Sequence, residues 1–587
     1  MPQDPAEPLA NPPLNNASPT IAISASNVLN NLELTSIIFS FLKDIALVEA
    51  PLQGQSNSTP SLLAVESKRK FAELTRVNRA FFNASIGVLW ETMDSLVPFF
   101  CEILPADRRK DCNELFRPLG YRRQPISESH WKRFEVYSAK TKTLILNQMK
   151  PPMDNAWVLH ALSSKKRPDV LFPALRRLWL SSTDSLSLAV AFSIAPQVKF
   201  LAIHFDEGTG EEEEICLALL ATLRQADGGP QDLTISQPIT YTALRSLHQI
   251  NSITCLSLRL PEGDIRKLGL RLLANLRSLK KLSLVQEVDI LDMETANLLP
   301  LLNVDDPFSR AAKMPVLEEL TVTGSGLTLF TVATELSPSA LKALYLKAKA
   351  DSVDKQVVLF PLIITAFALC NENMTSLSAA YNKGVKVKAE TVEGLRGDLR
   401  YNQYQKFMDA LSALKELTTL RILSIPFFDP GINTALFQLA GSLPKLNYFE
   451  LFPCPMTTLS ADNVVYPTLR DLQSISTGFG QLQVLKIACD LTSIPEIPKD
   501  YVSKHPLNSL GMFTLATMDH FTEDTLIALA RYLHRLFPNL QELSRTHRKV
   551  GGDRLKLWSY LEKLLKSFQA IRAEAIQDMS MSTESAS

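Results

Sequence analysis

The chain has 587 residues, 46% of them apolar and 21% charged, with 61 basic against 61 acidic side chains. It is too long for one ordinary compact core. Its zero net charge excludes an overall field that would steer it to nucleic acid or to an anionic membrane. Seven scattered cysteines, none in Cys-x-x-Cys spacing, argue against a disulfide framework or a zinc site and for reduced, mostly buried thiols.

Residues 1–25, rich in Pro, Asn, Ala and Ser, read as a disordered leader without a signal peptide. A helix is predicted from about Asn30, with Asn30 or Asn31 as its cap. Leu34, Ile37, Ile38, Phe41 and Leu42 form an apolar stripe at i, i+3, i+4, i+7 and i+8. A polar insertion at 51–61 follows, and helical patterning resumes at Leu62 through Phe71, Leu74, Val77, Phe81 and Phe82 to Leu89-Trp90. Residues 26–105 are therefore expected to form one helical module, with a further apolar stretch from Leu96 to Leu104 stopped by Pro105. Residues 106–139 form a linker that ends in a docking helix around Trp131, Phe134 and Tyr137.

From about 140 to 550 one motif returns: Pro-x-Leu-x-x-Leu-x-Leu. It reads Pro173-Ala-Leu175-Arg-Arg-Leu178-Trp-Leu180, and again from Pro196, Pro315 and Pro444. Versions without the proline start at Leu279, Leu341, Leu420 and Leu482, and weaker ones at Pro230 and Ile253. Many successive copies start 23 to 26 residues apart. That period predicts stacked strand–helix units: an α/β solenoid with a curved parallel sheet of about ten or more strands and helices on its convex side. The second and third leucines of each copy share one face of a strand, so Leu320, Leu344 and Leu423 are expected to be buried.

The residue between them points the other way, toward the concave face. As the copies align, that row is Trp179, Ala202, Thr234, Ser257, Ser283, Thr321, Tyr345, Ser424, Glu450 and Lys486. Most are small and uncharged, which predicts a protein partner bound with weak salt dependence and no nucleic acid. Trp179 and Tyr345 are the candidate substrate anchors.

Val357–Cys370 is the most apolar run, too short to span a bilayer and interrupted by Pro361, so a buried helix is expected rather than a membrane contact. Leu268–Ala274 also reads as helical. Pro467-Thr-Leu469 lies only 13 residues before the copy at Leu482, so one of the two must be irregular. Residues 551–578 read as an amphipathic capping helix and 579–587 as a disordered tail. Glu211–Glu214 reads as a solvated loop and Lys165-Lys166-Arg167 as a solvated turn. No Walker A loop, nucleophile elbow, His-Glu-x-x-His or dinucleotide fingerprint occurs, and no His pair stands at i, i+4. The chain is thus expected to be no enzyme, with no catalytic residue, no metal and no cofactor.

The helical module carries the sharper signal. Ile38-Phe-Ser-Phe-Leu42 with Glu33, then Val77-Asn-Arg-Ala-Phe81, then Leu89-Trp90, resemble an F-box. The pattern lacks the family's opening Leu-Pro, has Asn78 where Cys is usual, and is split by the 51–61 insertion. Leu89–Pro98 and Trp131-Lys-Arg-Phe134 also resemble the large fungal class of F-box proteins that continue into leucine-rich repeats. The resemblance implies a substrate-recognition subunit of an SCF-type cullin–RING ubiquitin ligase, in the cytoplasm or nucleus. Leu34, Ile38, Phe39, Leu42, Val77 and Phe81 would lie in or beneath the surface that binds the Skp-type adaptor. The repeats would hold a protein substrate of unknown identity. The alternative is a stand-alone leucine-rich-repeat scaffold whose F-box-like helices only cap the solenoid.

Overall fold

A computed structural model describes residues 31–49, 61–63, 65–103, 126–147, 161–181, 183–205, 211–226, 228–263, 265–287, 311–349, 353–381, 398–425, 439–453, 467–491, 493–497, 503, 505–513, 521–545 and 552–584. The expected leader, most of the polar insertion and most of the linker lie outside them. The dominant feature is parallel β-sheet accompanied by many helices, an arrangement compatible with a solenoid. The chain divides into two compact units, one of residues 1–208 and 226–230 and one of residues 209–225 and 231–587.

The first unit opens with α1 (Leu32–Ala46), a short antiparallel pair β1 (Leu47–Glu49) and β2 (Ser61–Leu63), and helices α2 (Val65–Leu74) and α3 (Arg79–Glu91). The helical patterning that resumes after Leu62 resolves into these two helices. Asn78 breaks it, accepting the Phe81 N–H at 2.8 Å as the N-cap of α3. Strand β3 (Thr92–Met93) follows directly, so the sheet begins inside the module expected to be all-helical. Next come α4 (Glu128–Ser138), which is the expected docking helix, then β4 (Thr143–Leu146), β5 (Arg177–Leu180), α5 (Ser185–Ile194) and β6 (Phe200–Ile203). Aromatic rings weld these elements together. Phe99, in a π-helical turn at Pro98–Ile103, meets Trp90 of α3, Phe134 of α4 and Phe172 at centroid distances of 5.0, 5.5 and 5.0 Å.

The second unit contains α6 (Glu211–Gln225), β7 (Asp232–Pro238), α7 (Tyr241–Leu247), β8 (Cys255–Leu260), β9 (Lys281–Gln286), β10 (Ala312–Met314), β11 (Glu319–Gly324), α8 (Gly326–Glu335), β12 (Leu336–Pro338) and β13 (Ala343–Ala348). It continues with α9 (Val353–Leu369), β14 (Ser376–Tyr381), α10 (Asp398–Ala413), β15 (Thr419–Ile425), β16 (Tyr448–Pro453), α11 (Leu469–Gly478), β17 (Val484–Ala488), β18 (Ser509–Phe513), α12 (Glu523–Leu536), β19 (Glu542–Arg545) and α13 (Gly552–Glu584). β10 and β12 form a separate parallel pair. The others line up in the order of the chain, each paired in parallel with the next.

Two devices fix the register of this unit. The first is apolar: Leu282, Leu320, Leu344, Leu377, Leu420 and Phe449 stand opposite one another on successive strands, all buried. A slip by one residue would turn the whole ladder to solvent. The second is polar. One carbonyl just before each strand accepts two N–H groups from the next, as Lys280 O does from Glu318 N and Glu319 N at 2.8 and 3.0 Å. Lys342 O, Thr375 O and Thr418 O repeat the pattern.

The ladder also corrects one repeat. Leu320 and Leu344 are buried as expected, but Leu423 is only half-buried. Leu417, Leu420 and Ile422 take the core positions, so this copy begins three residues earlier than the motif suggests. Arg421, not Ser424, then occupies the row between the buried pair, opposite Ser378 and Glu450.

Other corrections are local. Leu469 begins helix α11, which removes the conflict with the copy at Leu482. Residues 265–275 form two 3-10 turns hinged at Gly269 (φ +70°) rather than a helix. α9 runs through Pro361 and buries Ile363, Ile364, Phe367 and Ala368 while its last residue, Leu369, is exposed; no described helix is long and apolar enough to cross a membrane. α13 extends to Glu584, into the expected tail. Glu211–Glu214 are the first turn of α6, where carboxylates oppose the positive end of the helix dipole. Cys216 and Cys489 are buried free thiols, while Cys370 is exposed.

Candidate docking surface on the first helical module

Helix α1 is started by Asn31, whose side-chain oxygen accepts the N–H groups of Glu33 and Leu34 at 3.0 and 3.2 Å. Its grip on the module comes from one narrow face. Thr35 and Phe39, four residues apart, are both buried, Phe39 to 2% exposure. The Phe39 ring meets Phe81 edge to face at 5.4 Å and Phe71 at 5.8 Å, over Ala84 and Val88. One turn on, Lys43 closes an ion pair with Glu91 of α3 at 2.8 Å, and Lys142 reaches the same carboxylate at 3.3 Å. Burial alone would raise the Glu91 carboxyl, but the hydrogen bond and charge of Lys43, backed by Lys142, hold it below its ordinary value.

The rest of α1 is turned outward, and it is apolar. Ile37 and Phe41 are 65% and 66% exposed, and Leu34, Ile38 and Leu42 are exposed beside them. At i, i+3, i+4, i+7 and i+8 these five form one continuous stripe. Val77, in the turn between α2 and α3, is 60% exposed. A stripe of this kind faces the core in an ordinary surface helix. Here it faces solvent, an arrangement that marks docking surfaces that lie as helix against groove.

The expected adaptor-binding residues thus divide. Leu34, Ile38, Leu42 and Val77 are on the surface. Phe81 is half-buried and Phe39 is buried, so both lie beneath it, and Phe39 does not project from the edge of the helix as its spacing suggests. Ile37 and Phe41, the most exposed of the stripe, belong to the surface although neither is among the expected adaptor-binding residues. Their place in the stripe was the available signal.

The two expected substrate anchors also separate. Tyr345, on β13, is 37% exposed. Trp179, on β5, is 6% exposed: its ring lies tilted against Phe200 with centroids 4.6 Å apart, and it shares a cluster with Ile145 and Ala202, which stand opposite it on β4 and β6. The runs Leu144-Ile-Leu146, Leu178-Trp-Leu180 and Leu201-Ala-Ile203 are continuously apolar, the pattern of strands covered on both faces. Trp179 is therefore core, and of the two candidates only Tyr345 is exposed. Among the described residues no group of three or more His, Cys, Asp or Glu side chains is placed to hold a metal ion.

No protein-family model matches the chain, and a search of curated proteins finds no similar one. The F-box resemblance therefore stands on the residues quoted above alone.

Proposed function

We propose that the chain is a non-catalytic recognition subunit: α1 docks on a Skp-type adaptor of a cullin–RING ligase, and the repeats hold the protein substrate. The observation that carries this reading is the outward stripe of α1. Burying each of its large side chains against a partner is worth about 1.5–3 kcal/mol. Phe39 and the Lys43–Glu91 pair hold the helix so that the stripe is presented without rearrangement. The alternative, helices that only cap the repeats, would turn the stripe inward, and the five exposed positions speak against it. Ubiquitin transfer would be accelerated by proximity, with the chemistry supplied by the ligase's other subunits.

The test is co-expression of the tagged full-length chain with a Skp-type adaptor and the amino-terminal half of a cullin. The reading expects both to co-purify in equal amounts with the chain. Recovery of the folded chain alone favours the capping role.

A further inference from the structure

We infer that the second unit carries, at Arg421, Tyr448, Glu450 and Lys486, a recognition site for an acidic side chain of a protein segment lying across the strands. This rests on the repeats being a binding surface and is independent of the adaptor contact of α1.

The site follows from the register. Arg421 of β15, Glu450 of β16 and Lys486 of β17 stand directly opposite one another. Adjacent strands are about 4.8 Å apart, so three charged side chains share one row. Tyr448, two residues before Glu450, projects from the same face. Its hydroxyl donates to Glu450 Oε2 at 2.7 Å, and Arg421 Nε donates to the same oxygen at 2.7 Å. The Lys486 ammonium and the Arg421 guanidinium lie 5.5 and 6.0 Å from the centroid of the Tyr448 ring.

Glu450 is the one carboxylate among the described residues that is buried, at 7% exposure. Burying a carboxylate costs stability unless it is paired and hydrogen-bonded. Here both donors come from side chains on the open face of the sheet, and the result is a fixed guanidinium. The Nε bond uses one of its five N–H donors and sets the plane of the fork that recognises carboxylate or phosphate in two-point contact. The Arg421 side chain stays 42% exposed, and Lys486 has no carboxylate partner among the described residues. Two cations over one buried anion leave one net positive charge facing outward.

The same row runs from Arg421 through Ser378 to Tyr345, two strands away. That is roughly 10 Å, about three residues of extended chain. The pairing defines a ligand: an apolar side chain on Tyr345 and a carboxylate or phosphate three residues away on Arg421 and Lys486. A peptide fits better than a nucleic acid, because the rest of the row is Thr234, Ser257, Ser283 and Thr321 rather than a basic stripe.

The test uses purified full-length protein and fluorescent twelve-residue peptide pools with Leu fixed three residues before Glu, phosphoserine or Gln. A twelve-nucleotide oligouridylate is the nucleic-acid probe. Glu or phosphoserine pools are expected to bind at least tenfold more tightly than the Gln pool, and the stronger of the two identifies the anion. Lys486→Glu, which removes no ion pair among the described residues, should abolish that preference with only a small fall in melting temperature, from the second carboxylate it sets opposite Glu450. Arg421→Gln with Glu450→Gln should do the same without leaving a buried charge. Tyr345→Ala should weaken binding of every Leu pool. Equal binding of the Gln pool, an unchanged preference in Lys486→Glu, or tighter binding of the oligouridylate would each overturn the inference.

Discussion

Ile38 and Phe39 are neighbours in sequence with different surroundings: the Phe39 ring closes the core of the first module, while Ile38 stands in an apolar stripe open to solvent. Stability and recognition on α1 are therefore separable by single substitutions. Phe39→Ala should destabilise the module by about 3–5 kcal/mol, through the cavity left among Phe71, Phe81, Ala84 and Val88. Phe41→Ser should leave stability within about 0.5 kcal/mol, since it removes no buried contact. Hydrogen exchange over residues 32–91 reads the difference, with fast exchange in the first variant only.

The register of β15 makes a second contrast. Leu420→Ala should cost about 2–5 kcal/mol because the side chain is fully enclosed between Leu377 and Phe449. Leu423→Ala, at a half-buried site, should cost less than about 1.5 kcal/mol. Denaturant midpoints for the two variants measured side by side decide between this register and the one that places Leu423 in the core.

His505 sets a pH dependence. Its Nε2–H donates to Phe479 O at 2.6 Å, and its Nδ1 accepts the Leu507 N–H at 3.1 Å, so both ring nitrogens serve the neutral form. Burial pushes its pKa below the ordinary value, against a smaller upward pull from the Phe479 carbonyl. His534 is likewise lowered by burial and by Arg572. Above about pH 6.5 both are neutral in the folded and unfolded chain and their contribution is complete. As pH falls, the unfolded chain takes up protons first, and stability drops until the folded-state pKa values are passed. Melting temperature should fall between pH 7.5 and pH 5, and His505→Gln should flatten that slope. A slope unchanged by the substitution would assign the loss to other groups.

Much of the second unit was legible because a buried Leu-x-Leu pair imposes period-2 alternation, and that pattern survives in β7, β8, β9, β11 and β13. β14 and β18 were missed because Ala379 and Met512 replace the last leucine, although both are buried in register with their neighbours. β15 was misaligned because Leu417-Thr-Thr-Leu420-Arg-Ile-Leu423-Ser-Ile425 contains the motif's spacing twice over, and only the pairing with Leu377 and Phe449 selects one phase. The same ambiguity hid Arg421 and, with it, the charged row. On α1 the stripe was visible but its direction was not. Periodicity marks an apolar face and says nothing of whether the protein's own core or another molecule covers it. Here Phe39, lying off the stripe, is the side chain that packs on the module's own core.

The most direct test of the central claim is a calorimetric titration of a purified Skp-type adaptor into the full-length chain and into the double variant Ile37→Asp, Phe41→Asp. Neither residue contacts the Phe39 core, so the variant should melt with the wild type. The expected result is saturable one-to-one binding by the wild-type chain and at least a hundredfold weaker binding by the variant. No heat of binding with the wild type, or equal affinity in both, would contradict the assignment of α1 as the docking surface.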